Sequence, residues 1–179
     1  MKLSGLPVQN FFVSRYHLRR VGGEPLTLQL RPLPLGFHQR LRNRGIVPPL
    51  PPLKIARDSA GKPLRDAQGM VLTLADQRQP EFLAELDCYH QCVAVLSVVE
   101  ALAGDPAVAF ETAPPSETAT AKTWRNYAES IFAELEQAGF TAGDLVLLCR
   151  EVCRLSNLID EQLSAVQETF SPEPEGSSA

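Results

Sequence analysis

The sequence predicts an α+β fold, mainly α: a small N-terminal β-hairpin module followed by a three-helix C-terminal bundle. Three observations predict it. Strand-like segments with period-two alternation flank a Gly-Gly turn. Three long stretches repeat apolar residues every three or four positions. Pro and Gly sit at the places where such elements start and stop. The boundaries that follow are a basic, β-rich module with a short helix and a Pro-rich connector over 1–78, a helical domain over 79–168, and an acidic tail, disordered by composition, over 169–179.

Residues 1–10 read as an irregular arm. Phe11 to Leu18 has strand-like composition, Gly22-Gly23 is a turn signal, and Leu26-Thr27-Leu28-Gln29-Leu30 alternates apolar with polar. Together they predict a hairpin. Pro32 and Pro34 end the second strand. Leu35 to Asn43 then predicts a short helix, with Phe37 and Leu41 on one face and Gly45 at its end. Pro48-Pro49-Leu50-Pro51-Pro52 predicts an extended connector. Its two Pro-x-x-Pro frames also fit an SH3-type ligand, but a stiff spacer is the preferred reading. Lys54 to Arg57 and Met70 to Leu74 predict a second, irregular hairpin around a polar stretch, Asp58 to Gly69. No internal repeat is expected.

The first long helix is expected from about Pro80, suited to a first turn, to Ala103, with Gly104-Asp105-Pro106 stopping it. The second is expected from about Lys122 to Ala138, with Gly139 in the left-handed cap position. For the third, Thr141 and Asp144 predict a capping box flanked by a Phe140/Leu145 staple. Leu145, Cys149, Val152, Ser156, Ile159, Leu163 and Val166 then make one continuous seam, so this helix is expected to reach about Gln167.

Composition bounds the function. The chain has 179 residues, 44% hydrophobic and 21% charged, ordinary for a globular protein. Its net charge of −4 hides an asymmetry. Residues 1–66 hold 12 Lys/Arg against 3 Asp/Glu, leaving 5 of the 17 basic and 18 of the 21 acidic residues for the remainder. A basic half of this kind suits an acidic protein partner. Nucleic-acid binding is not expected, because the basic residues are scattered and lack interleaved stacking aromatics. No targeting segment and no membrane span is expected: the longest apolar stretch, Val93 to Ala103, falls short of the roughly 20 residues a bilayer needs. A cytoplasmic protein follows.

No catalytic constellation is legible. His17, His38 and His90 sit in no metalloprotease motif and near no nucleophile elbow. Gly22-Gly23 is not a phosphate loop. Glu129, Glu134 and Glu136 read as solvated helix surface. Cys88/Cys92 and Cys149/Cys153 are spaced four apart on helices, so each pair shares a face. Two opposed faces can build a thiolate zinc site, yet their apolar neighbours favour core packing. The expectation is therefore no enzyme, no cofactor and no metal. Arg40, Arg42 and Arg44 surround the end of the short helix and are the candidate partner-binding residues: part of their charge complements the helix C-terminus, and the rest can dock an acidic segment.

Two runs carry a family resemblance, Leu30-Arg31-Pro32-Leu33-Pro34-Leu35-Gly36-Phe37-His38-Gln39-Arg40-Leu41 and Cys149-Arg150-Glu151-Val152-Cys153-Arg154-Leu155-Ser156-Asn157-Leu158-Ile159-Asp160. With the small β element, the Pro-rich connector and the helical second half, the chain resembles the tail assembly chaperones of long-tailed bacteriophages and prophages, loosely over residues 26–167. The resemblance implies a factor in the bacterial host cytoplasm that binds the tape measure protein, keeps its apolar helices soluble and helps recruit tail tube protein. It implies no catalytic residue. The alternative expectation is a structural component of a phage tail or phage-like particle. Self-association into a homo-oligomer is compatible with either.

Overall fold

The computed structural model describes residues 2–3, 6–7, 12–19 and 24–158. Its order is β1 (Lys2–Leu3), β2 (Leu6–Pro7), β3 (Ser14–Leu18), β4 (Leu26–Leu30), α1 (Phe37–Asn43), β5 (Leu53–Ile55), β6 (Thr73–Ala75), α2 (Pro80–Leu102), α3 (Ala121–Gln137) and α4 (Ala142–Leu155). The fold is α+β and mainly helical, an N-terminal hairpin followed by helices. The strands form three separate antiparallel pairs, β1–β2, β3–β4 and β5–β6. The first pair replaces the irregular arm expected for residues 1–10. The Gly22-Gly23 turn lies outside the described residues.

α2 is the central element and packs against both α3 and α4. Its C-terminal half supplies two adjoining clusters. In one, Cys92, Val95 and Leu96 meet Phe37 and Leu41 of α1 and Trp124, Tyr127, Ala128, Ile131 and Leu135 of α3. In the other, Val98, Ala101 and Leu102 meet Leu28 and Leu30 of β4 and Leu148 and Val152 of α4. Each such Val, Leu or Ile contributes about 1.5–3 kcal/mol by leaving water. The N-terminal hairpin and the helices thus share these clusters. β4 is fastened twice more: Arg31 N–H donates to Ala101 O at 3.0 Å, and Gln29 N–H donates to the carboxylate of Asp105 at 2.7 Å. Asp105 is only 5% exposed and also accepts from Ala107 N–H at 2.9 Å. A Cβ at Gly104 would meet the Arg31 guanidinium, the end of a flexible side chain that can swing aside.

Helix ends follow local chemistry. Thr141 and Asp144 form the expected capping box. Gly139, at φ +80°, closes α3: Phe140 N–H reaches Leu135 O and Gly139 N–H reaches Glu136 O. Gly45, at φ +73°, closes α1 in the same way through Ile46 to Leu41 and Gly45 to Arg42.

Two expectations are corrected. The third long helix does not continue to Gln167 but stops at Leu155. Asn157 adopts φ +52°, Leu158 N–H bonds back to Cys153 O and Asn157 N–H to Arg154 O. That is a Schellman ending with Asn in place of Gly, a conformation Asn tolerates better than other side-chain-bearing residues. Ser156 leaves the proposed seam: its hydroxyl donates to Val152 O and accepts from Leu33 N–H. Ile159, Leu163 and Val166, and the tail 169–179, lie outside the described residues.

The second correction is that the chain does contain an internal repeat. Ala56-Arg57-Asp58-Ser59-Ala60-Gly61-Lys62-Pro63 and Leu64-Arg65-Asp66-Ala67-Gln68-Gly69-Met70-Val71 are two eight-residue units sharing Arg, Asp and Gly. Each folds into the same turn. Asp58 accepts from Ala60 and Lys62 N–H at 2.9 and 2.8 Å, and Asp66 from Gln68 and Met70 N–H at 3.0 and 2.8 Å. Gly61 and Gly69 both take φ +80°, and Arg57 and Arg65 donate to their carbonyls at 2.7 and 2.6 Å. These are three-residue loops with Gly in the left-handed position. Where the turns meet the β5–β6 stem, three hydrogen bonds close a ring: Ala56 N–H to Leu72 O, Leu64 N–H to Ala56 O, and Leu72 N–H to Leu64 O, at 2.9, 2.8 and 2.9 Å. The result is a cloverleaf of stem and two equal leaves in place of an irregular hairpin.

Candidate protein-binding surface

The cloverleaf buries little of itself. Leu53, Ile55, Leu64, Met70, Val71, Leu72 and Leu74 are all exposed, Leu53 at 71% and Met70 at 68%. Leu53 and Ile55 project from one face of the stem. Lys54 and Leu74, paired across it, project from the other. A two-stranded element of this kind has no core of its own. Its shape comes from the hydrogen-bonded ring, the two Asp-centred turns and a Lys54–Asp76 ion pair of 3.1 Å. That pair holds the Asp76 carboxyl below its usual pKa, chiefly through the hydrogen bond from Lys54.

Separately, the Pro-rich connector and the helices line an open groove of about 640 Å³. Ile46 to Leu50 form one wall. Ala84, Cys88, Tyr89 and Cys92 of α2 form the floor, and Arg125, Ala128 and Glu129 of α3 the far side. The N-terminal half of α2 leaves Phe82, Leu86 and Tyr89 only half-buried and Leu83 exposed. With 23 residues, α2 is also long and apolar enough by composition to cross a membrane, a property it shares with core helices of water-soluble proteins.

The three arginines singled out by sequence have separate employments. Arg40 pairs with Glu100 of α2 at 2.8 Å. Arg44 lies over the Trp124 ring, 3.8 Å from its centroid, a cation–π contact of about 0.5–2 kcal/mol. Trp124 also packs edge-on to Tyr127, and its buried Nε1–H finds no hydrogen-bond partner among the described residues. Arg42 is exposed, and its guanidinium donates to Gln39 Oε1 at 3.4 Å. The structure therefore leaves Arg42 facing water, while Arg40 and Arg44 tie α1 to α2 and α3.

The remaining sequence candidates do not converge. Among the described residues, no three His, Cys, Asp or Glu side chains gather to hold a metal ion. Cys88 is exposed and Cys92 buried. Cys149 is pushed up to about 11, first by burial and then by nearby Cys153. Its thiol donates to Ala94 O at 3.7 Å. His17 bonds Thr27 on the neighbouring strand. Glu134 is not idle surface: its carboxylate accepts from Glu111 and Thr112 N–H at 2.9 and 2.7 Å, pinning the α2–α3 connection to α3. Its pKa is lowered, first by a hydrogen bond from the Thr112 side chain and then by those two backbone bonds. No sequence signal marks it, because its partners lie more than twenty residues away.

The two runs that carry the family resemblance are packing segments here. Leu30, Phe37, Leu41 and Val152 are core residues, and Leu33 and Ser156 hydrogen-bond one run to the other. Comparison with protein-family profiles, with curated proteins and with solved structures found no match to this chain.

Proposed function

We propose that this chain is a phage-type tail assembly chaperone or adaptor, acting in the bacterial host cytoplasm, which holds apolar helices of a tape measure protein soluble and brings them to tail tube protein. The observation that carries this reading is the cloverleaf arm. Seven large apolar side chains stand out on an element too thin to bury them, and exposure of that kind marks a surface made to be covered. The groove between the Pro-rich connector and α2 and α3 has the apolar lining and open side that a client helix needs. The two resembling runs add the family, and the acidic second half adds solubility to a complex rich in apolar helices.

Co-expression with the adjacent long helical gene product tests it. The client is expected to move from the pellet to the soluble fraction and to co-purify. Leu53→Asp combined with Leu74→Asp, on opposite faces of the stem, should abolish both effects while leaving the helical circular dichroism unchanged. A client equally soluble with and without this chain would remove the reading. Absence of the chain from purified particles distinguishes an assembly factor from a tail component.

A further inference from the structure

The β3–β4 hairpin has two edges, treated in opposite ways. The β4 edge is occupied at its C-terminal end, where Gln29 N–H is bonded to Asp105 and Arg31 N–H to Ala101 O. Those two bonds also fix which residues face outward on β3. In an antiparallel pair, residues directly opposite either exchange both hydrogen bonds or both turn away. Gln29 turns away, and its partner is Arg15; the pair two residues on, His17 opposite Thr27, does the same. The backbone groups of Arg15 and His17 therefore point out of the sheet. Among the described residues no strand or side chain pairs with them.

The side chains along this edge select what can pair. Ser14, Tyr16 and Leu18 face inward and are half-buried or buried, whereas Arg15, His17 and Arg19 are exposed on the other face. Neither Arg15 nor Arg19 forms an ion pair within the described residues. A second copy of the chain, pairing edge to edge, would set these arginines against each other, and like charges on facing strands repel. Charged edges of this kind guard against self-pairing. They equally favour one heterologous occupant. We infer that the outer edge of β3 is a docking site for an extended acidic strand of a partner protein, alternating acidic residues against Arg15 and Arg19 with an apolar residue beside the half-buried Tyr16. This site is separate from the apolar arm and does not depend on the assembly role.

The test uses the full chain, ¹⁵N-labelled, titrated with an acetylated Glu-Val repeat heptapeptide and, in parallel, its Lys-Val counterpart. Saturable shifts of the Arg15, His17 and Tyr16 amides are expected with the acidic peptide, with roughly tenfold weaker binding of the basic one. N-methylation of alternate acidic-peptide residues should abolish binding, because it removes the ladder donors. Arg15→Pro, which deletes an outward N–H on an edge where Pro is tolerated, should abolish it too. Arg15→Glu with Arg19→Glu should reverse the preference toward the basic peptide even if the Pro variant fails to fold. Equal binding of both peptides, or no saturable binding, overturns the inference. So does slow exchange of the Arg15 and His17 amides in a self-associated, peptide-free sample, which would show a second copy on the edge.

Discussion

Replacing Asp105 with Ala tests how β4 is held to the helical layer. Asp105 is 5% exposed and accepts two backbone donors, Gln29 N–H at 2.7 Å and Ala107 N–H at 2.9 Å. Asp105→Ala strips the acceptor from two part-buried backbone donors. An unsatisfied buried donor costs about 1–3 kcal/mol, so the loss should be about 3 kcal/mol against a total stability of roughly 5–15 kcal/mol. For a chain of this size that corresponds to a fall in Tm of about 6–12 °C. Asp105→Asn keeps one acceptor but turns an NH₂ toward the other donor, so it should cost roughly half as much. Urea titration followed by the emission of the single tryptophan, buried at position 124, measures both. Amide exchange supplies the local readout: Gln29 should lose protection in Asp105→Ala before the α3 amides do. Stability within about 0.5 kcal/mol of the parent, with Gln29 still protected, would show that Asp105 is not the clamp described.

Three further outcomes are expected. Gly45→Ala should cost about 1–3 kcal/mol in the same titration, because it forces a side chain into φ +73° and sets its Cβ 2.8 Å from that of Ala121; wild-type stability would refute the Schellman closure of α1. Glu134→Gln should make the 107–120 connection the first site of limited proteolysis. Because the folded pKa of Glu134 lies below its usual 4.5, the same opening should appear in the parent as pH falls through that lowered value, and be absent above 4.5. For thiol labelling under native conditions near neutral pH, Cys88 should react first and Cys149 only on unfolding. The folded pKa of Cys149, about 11, lies above the ordinary 9.0, so its contribution to stability should be complete below pH 9 and decline as pH climbs toward 11.

What was legible in the sequence was local. Thr141 with Asp144, Gly139 and Gly45 announce helix ends because capping partners lie within a few residues of each other. Strand β4 was legible from its alternation alone. The end of α4 was misread because apolar spacing continues through Ile159 to Val166 while the stop signal is Asn157, a weaker mark than Gly. The octad was missed because two units sharing three residues each look like polar loop until the turns are superposed. The clamps Asp105–Gln29, Arg40–Glu100 and Glu134–Thr112 were illegible for a common reason: each joins residues 22 to 76 positions apart. The binding surface was hidden for the converse reason. Leu53, Leu72 and Leu74 look like core residues of a hairpin, and only the fold reveals that they stand exposed among the described residues.

Hydrogen–deuterium exchange of the full chain, with and without the adjacent long helical gene product, tests the central claim most directly. Residues 46–50, 53–75 and 80–91 should gain protection on complex formation, with α4 and the C-terminal half of α2 unchanged. A complex that forms and protects other surfaces, leaving the cloverleaf exchanging as it does alone, would contradict the account.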